Sequence, residues 1–487
     1  MGSSKLTRLL LQEISRRKCV GIVLERTAPK DLSRPGALHE RRYSNLSASL
    51  EKELFEADHL KEESSSVCIY KVPAVMRGVE RKAFQPSIMS IGPYHHGVER
   101  LQVQEELKRK FVGRLFDQSR ENGVKFEIVK SAMGKLEEEA RICYSEEIDL
   151  KSEEFVNMML VDGCFIVELF REVWQQGLEH QIPFIKRWML PVLRRDFIML
   201  ENQLPLFVLN KLFQMTSSGA PAEPLPSLQN LALHFFNPLL QRDFDTRPTE
   251  GASDARHVLD LFRSTILPVG VVRRKQPKMI PSMTELKEAG IKVQKARYPR
   301  LLDITCEEKV LKIPPLYLDD RKCTLFRNMV AFEKCHRSCH PDVTTYLFFF
   351  DALINSAKDV GLLHYNEVLH HSLGSNKEVA RLVSKVCKEI DRDVDESYLF
   401  FVVHDANSFC NSFWAKKRAA LARHYFSSWG VGVSTIGALF ALYLTLIQTT
   451  TGVAGSLTQL KGNYFGSFLT DSLLLPLFGK PRSGGGD

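Results

Sequence analysis

One uncharged stretch of 18 residues, GVGVSTIGALFALYLTLI at 430–447, restricts what this chain can fold into more than any other feature. At 1.5 Å per residue it makes a helix of about 27 Å, close to the hydrocarbon thickness of a bilayer. No proline interrupts it between Gly430 and Ile447, so its backbone can be satisfied internally, as lipid requires. A buried core helix of this length would usually carry more polar punctuation. The expectation is a transmembrane helix over 429–448 and a short tail over 449–487. Gly437 and Ala441 lie four apart on one face, a spacing that permits close approach of a second helix and self-association. Lys416, Lys417, Arg418 and Arg423 precede the span, whereas the first cation after it is Lys461. The positive-inside rule therefore puts the preceding chain in the cytosol. Those four cations also suit anionic lipid head groups.

The rest of the chain is long enough for a sizeable core. Residues 1–66, rich in charge and serine, are expected to be a mobile extension with a helix near 46–60, and 67–428 a globular body. The net charge of +8 over 487 residues is small and partly juxtamembrane, so nucleic acid is not an expected partner. The run Arg273-Arg274-Lys275 reads as a solvated loop. Ten scattered cysteines fit reduced, mostly buried thiols. Leu9-Leu10-Leu11 is too short for a secretory core, and Leu6 stands where a myristoylation motif needs Ser or Thr. The triplet Asn45-Leu46-Ser47 should stay unglycosylated if the body is cytosolic.

Periodicity predicts mostly helices. Order should begin with a β-prone run at 67–73. Val103, Leu107, Phe111 and Leu115 recur every four residues, with Lys108, Arg109 and Lys110 between them as a solvated basic face. A dense apolar stripe from Phe155 to Trp174 predicts a central, mostly buried helix holding Asp162. A helix pair follows over 188–213, broken at Pro191 and at Pro205. Proline-rich or polar loops at 216–227 and 246–254 flank an apolar helix near 228–240. A hairpin is expected around Glu307-Glu308-Lys309. A turn with an N-cap precedes a helix through Val379, Leu382, Val383, Val386 and Ile390, and a last helix should run from Tyr398 through Phe413 toward the membrane. The fold class is mainly α with a minor β portion (α+β), a helical body plus one C-terminal transmembrane helix.

Several motifs then fall in a telling order. They are Ile91-Gly92-Pro93-Tyr94-His95-His96-Gly97, Asp162-Gly163-Cys164-Phe165 and Met199-Leu200-Glu201-Asn202-Gln203-Leu204-Pro205, followed by ELKEAGI at 285–291. Leu302-Asp303-Ile304, Phe326-Arg327-Asn328, Ala331-Phe332-Glu333 and SAKDV at 356–360 complete the series. Over about residues 67–447 this order resembles the plant "domain of unknown function 247" family. Met199 and Ile198 stand where the family often has leucines, and the tail is longer than in many members. The resemblance implies a plant membrane protein with a C-terminal anchor, the plasma membrane being the expected site. Grass members act as self-incompatibility determinants, which suggests recognition or signalling. It brings no catalytic residues and no cofactor.

The candidate chemistry is thin. His95 and His96, adjacent on a strand, would point to opposite faces and could not easily share a metal. Across 335–340, CHRSCH, one helix would pair Cys335 with Cys339 and His336 with His340, but no second ligand pair lies nearby, and a buried-cysteine helix end before Pro341 is the simpler reading. Asp162 and Glu201 could form a carboxylate pair, or serve as buried, hydrogen-bonded packing groups. Nucleophile-elbow, phosphate-loop, zincin and dinucleotide motifs are all absent. The expected function is binding of an unidentified protein, or self-binding, at the membrane. The alternative is a tethered hydrolase or transferase using Asp162, Glu201 or His95.

Overall fold

Apolar side chains recur so densely between Ser152 and Gln176 that the helix they form can only be buried, and the fold is laid around it. In the computed structural model that helix is nearly covered along its length, from Phe155 to Val173. Glu154 Oε2 accepts the Lys151 N–H at 3.3 Å at its start, and Gly177, with φ +78°, ends it. The described residues are 66–120, 125–177, 182–217, 226–239, 254–275, 278–297, 300–388, 396–425 and 429–459. The expected helix near 46–60, most of the loops at 216–227 and 246–254, Ile390 and the tail from 460 lie outside them.

Helices Glu105–Arg120, Phe126–Lys135, Leu206–Thr216 and Leu228–Phe236 pack against the central one. Gly163 lets one of them come close, since a Cβ there would stand 2.3 Å from Leu212 Cδ1. Pro191 does not break its helix, Met189–Phe197, because it sits in the first turn, where no N–H is needed. The second break is real, but the helix already ends at Phe197, and Pro205 is the N-cap of the next one, Leu206–Thr216. The helix expected to include Val103 starts only at Glu105, leaving Val103 exposed. Residues 67–73 form a single bridge, Ile69 to Tyr144, and no strand.

Helices Asp320–Cys335, Asp342–Leu353, Ala357–Tyr365 and Asn376–Cys387 build the following part of the body, the last N-capped by Ser375. The β portion is small. Strand β1 (Lys292–Lys295) pairs in parallel with β3 (Val310–Ile313), which pairs antiparallel with β2 (Thr305–Glu307). Strand β4 (Leu316–Leu318) runs parallel to β5 (Leu369–His371). The β2–β3 hairpin turns where the sequence predicts it, through Glu308 and Lys309, both at positive φ (46° and 67°). Such a turn favours Asn-Gly, so Glu308→Asn should raise stability by about 0.5–1 kcal/mol, seen as a higher urea midpoint. An unchanged or lower midpoint would argue against strain there.

The last helix of the body is two, Phe400–Cys410 and Phe413–Tyr425. The chain breaks at Asn411-Ser412, where Ser412 Oγ takes the Ala415 N–H at 3.3 Å and caps the second. Then comes Trp429–Gln459, whose window Val433–Gly452 is long and apolar enough to cross a membrane and is covered by no other part of the body. It runs past residue 448 because Thr450 and Thr451 turn their hydroxyls back onto the Ile447 carbonyl, each at 2.9 Å, removing their polar cost.

Candidate functional site

The loop 198–205 is buried throughout, so its backbone and the buried part of the facing segment, 86–97, need partners within the protein. The polar trio supplies them. Asn202 Oδ1 accepts the Ile91 N–H at 2.7 Å, and its Nδ2 donates to the Met89 and Asp196 carbonyls. Gln203 donates to the Phe197 and Met199 carbonyls at 2.6 and 2.8 Å and accepts the Leu259 N–H at 3.2 Å. Glu201 accepts the Val72 N–H at 2.7 Å and pairs with Arg77. Asp196, unremarked in the sequence, takes the N–H groups of Ser87, Ile88 and Met89.

The IGPYHHG segment docks on the central helix through Asp162. Its Oδ2 accepts the Gly92 N–H at 2.9 Å, while Oδ1 meets Lys108 Nζ at 2.6 Å. Lys108 is wholly buried and also reaches Glu105 at 2.6 Å, which corrects the solvated basic face expected of it. It lies three before Phe111 and seven before Leu115, on the apolar face. Burial pushes Lys108 toward neutrality, but Asp162 and Glu105 outweigh it and hold the ammonium above the usual lysine range. Burial pushes the Asp162 carboxyl up, against the pull of Lys108. Gly92 must be glycine, because φ is +73° and a Cβ would stand 2.4 Å from the Gln203 carbonyl oxygen.

Pro93, Tyr94 and His95 form a turn of 3-10 helix, so the two histidines do not lie on a strand; His95 is buried, His96 exposed, and Gly97 has φ +76°. His95 Nε2 stands 3.3 Å from Glu201 Oε2 without the alignment of a hydrogen bond. Tyr94 packs edge-on against Tyr144. The other motifs repeat the same device. Asn328 accepts the Leu200 N–H and donates to the Ala83 carbonyl; Glu333 takes the Val343 and Thr344 N–H groups and Arg263; Asp359 takes the Thr284 N–H. Asn328 and Asp359 thus close backbone far away in sequence, and Glu333 closes backbone ten and eleven positions on.

Asp162, Glu201 and His95 are all buried. An open cleft of about 780 Å³ lies elsewhere, lined by Ser282, Glu285, Asp351, Asn355, Lys377 and Arg381 among others. Cys335 ends its helix, so Cys339 and His340 leave the helical register expected of 335–340; His336 bonds Tyr70 and Ser338 at 2.9 and 2.8 Å. Among the described residues no three metal-ligating side chains cluster. Arg273 is no solvated turn residue, since it grips Asp342 at 3.0 and 2.7 Å. Of the cations that precede the apolar helix, Arg418 lies against Gly290 of the body, with Lys416 and Lys417 exposed. Gly437, Ala441 and Ile447 are exposed on the apolar helix.

A family profile described as a plant protein of unknown function, DUF247, matches residues 69–444. A UPF0481 protein of Arabidopsis thaliana is 29% identical over 428 residues, covering 82% of this chain and 88% of its own. A second UPF0481 protein from that plant is 22% identical over 501 residues, covering 83% and 93%. No solved structure matches the chain significantly.

Proposed function

This chain belongs to the DUF247 family of plant proteins of unknown function, and we propose that it is a single-pass, membrane-anchored recognition or signalling component whose body binds another protein. The observation that carries this is the helix Trp429–Gln459. Leu439, Phe440, Leu442 and Tyr443 expose apolar surface that no other described residue covers, and lipid is the cover that suits it. The helix before it exposes Phe413 and Trp414 beside Lys416 and Lys417, a mixture suited to the head-group layer. Those cations favour a cytosolic body, and the plasma membrane is the proposed location. Self-association would use the Gly437 and Ala441 face, where nothing lies within 4 Å of a Cβ built at Gly437.

Binding is favoured over catalysis because Asp162 and Glu201 are already engaged by backbone N–H groups and cations. The alternative, a tethered hydrolase or transferase, draws only on the approach of His95 to Glu201. The full-length chain should stay with membranes through an alkaline carbonate wash, and a variant lacking 430–447 should leave them. Recovery of the full-length chain in the soluble fraction would overturn the anchor. An N-linked glycan on Asn45 would overturn the orientation.

A further inference from the structure

Ile69 and Tyr144 form a parallel bridge, with the Ile69 N–H on the Cys143 carbonyl at 2.9 Å and the Ser145 N–H on the Ile69 carbonyl at 2.9 Å. Cys143, with φ −69° and ψ −18°, closes the helix Glu137–Ile142 just before the bridge, and Cys68 directly precedes Ile69. The Cys68 N–H reaches the Cys143 carbonyl too, at 2.9 Å, drawing the two residues closer. Cys143 Sγ donates to the Glu139 carbonyl at 3.4 Å, and the Cys68 thiol beside it lowers the Cys143 pKa. Both residues are buried and both thiols free. A backbone hydrogen bond between two cysteines brings their α-carbons within the span that a disulfide requires.

We propose that Cys68 and Cys143 are a peroxide-sensitive pair that closes to a disulfide, tying the segment 66–72 to the segment before the central helix. Cys143 is the attacking sulfur. The neighbouring Cys68 thiol holds that of Cys143 below the ordinary range, and Cys143 in turn keeps the Cys68 proton in place. The Cys143 thiolate attacks one oxygen of hydrogen peroxide, the O–O bond breaks, and hydroxide leaves to become water. The Cys68 thiol then displaces hydroxyl from the resulting sulfenic acid; the S–S bond forms and a second water departs. Two thiols and one peroxide give one disulfide and two waters, with both sulfurs oxidised and the peroxide reduced. The bond would fix the segment whose Tyr70 hydroxyl holds His336 and whose Val72 N–H holds Glu201.

The test uses the full-length chain in detergent micelles, treated with dilute hydrogen peroxide. Remaining thiols are blocked with N-ethylmaleimide after unfolding, and the unreduced digest is read by mass spectrometry. The expected product is the Cys68 peptide joined to the Cys143 peptide, two hydrogens lighter than the free thiols and released by dithiothreitol. In Cys68→Ser the link should vanish, and dimedone should capture Cys143 as its sulfenic acid. Recovery of Cys68 and Cys143 as maleimide adducts, at a dose that oxidises the more accessible Cys306 or Cys410, would overturn the proposal. So would either sulfur pairing chiefly with another cysteine; the wild-type digest decides even if the variant fails to fold.

Discussion

Lys108→Met is expected to cost about 3–5 kcal/mol of stability, among the largest losses any single substitution in the body should produce. Methionine fills the space of the lysine stem, so the loss is electrostatic and not a cavity. Without the ammonium, the Asp162 carboxylate stays buried with only the Gly92 N–H to hold it. Glu105 can turn toward water, being partly exposed, and carries little of the penalty. Adding Asp162→Asn to that background should recover most of the loss. The amide removes the stranded charge while its oxygen still receives Gly92. Urea unfolding of the full-length chain in micelles, followed by circular dichroism, gives the comparison. If Lys108→Met falls within about 1 kcal/mol of wild type, or if the second change simply adds its own cost, the ion pair is not what docks the IGPYHHG segment.

That residue also shows where the sequence stops being legible. The central helix, the helix from Ser375, the Glu308-Lys309 turn and the apolar rod near the C-terminus were readable because each rests on local physics: periodicity, capping, turn geometry or sheer apolar length. Lys108 was not, since the rule that lysines face water yields only when a partner waits inside, and Asp162 is 54 positions away. Asp196 gives no signal because an acid directly after two arginines reads as a solvated pair, although three backbone N–H groups of a distant segment converge on it. Pro191 misled for the opposite reason: its helix starts only two residues earlier, a boundary that periodicity places poorly. The motifs could be seen as a set and placed in a family by resemblance. The task of Asp162, Asn202, Asn328 and Asp359 in closing backbone elsewhere appears only when the chain is folded, because those partners lie 70 to 245 residues away.

The second large effect concerns acid, and it falls on His257, which carried no signal in the sequence. Its ring is fully buried at the N-cap of the helix Val258–Ser264. Nδ1 accepts the Asp260 N–H at 3.2 Å and so must be unprotonated, while Nε2–H donates to the Cys68 carbonyl at 3.1 Å. A proton on Nδ1 would set two N–H groups against each other in a site without water. Burial pushes the imidazole down to about 4, with Asp260 opposing only in part. Once unfolded, the ring titrates near 6.5. Between those values the unfolded chain binds a proton that the folded chain refuses, so stability is full above about pH 6.5 and falls as the pH drops toward 4. The loss from this one ring approaches about 3 kcal/mol at pH 4. His257→Asn keeps a side-chain oxygen for the Asp260 N–H and cannot be protonated there. The variant should be less stable than wild type at pH 7, because it leaves space around the ring site and the Cys68 carbonyl unmatched. The gap between the two should then close by about 3 kcal/mol between pH 7 and pH 4, measured as paired urea midpoints. Carboxylates titrate over the same range in both proteins and cancel in the difference. Two stability curves that run parallel across that interval would mean the folded body accommodates a charged His257 after all.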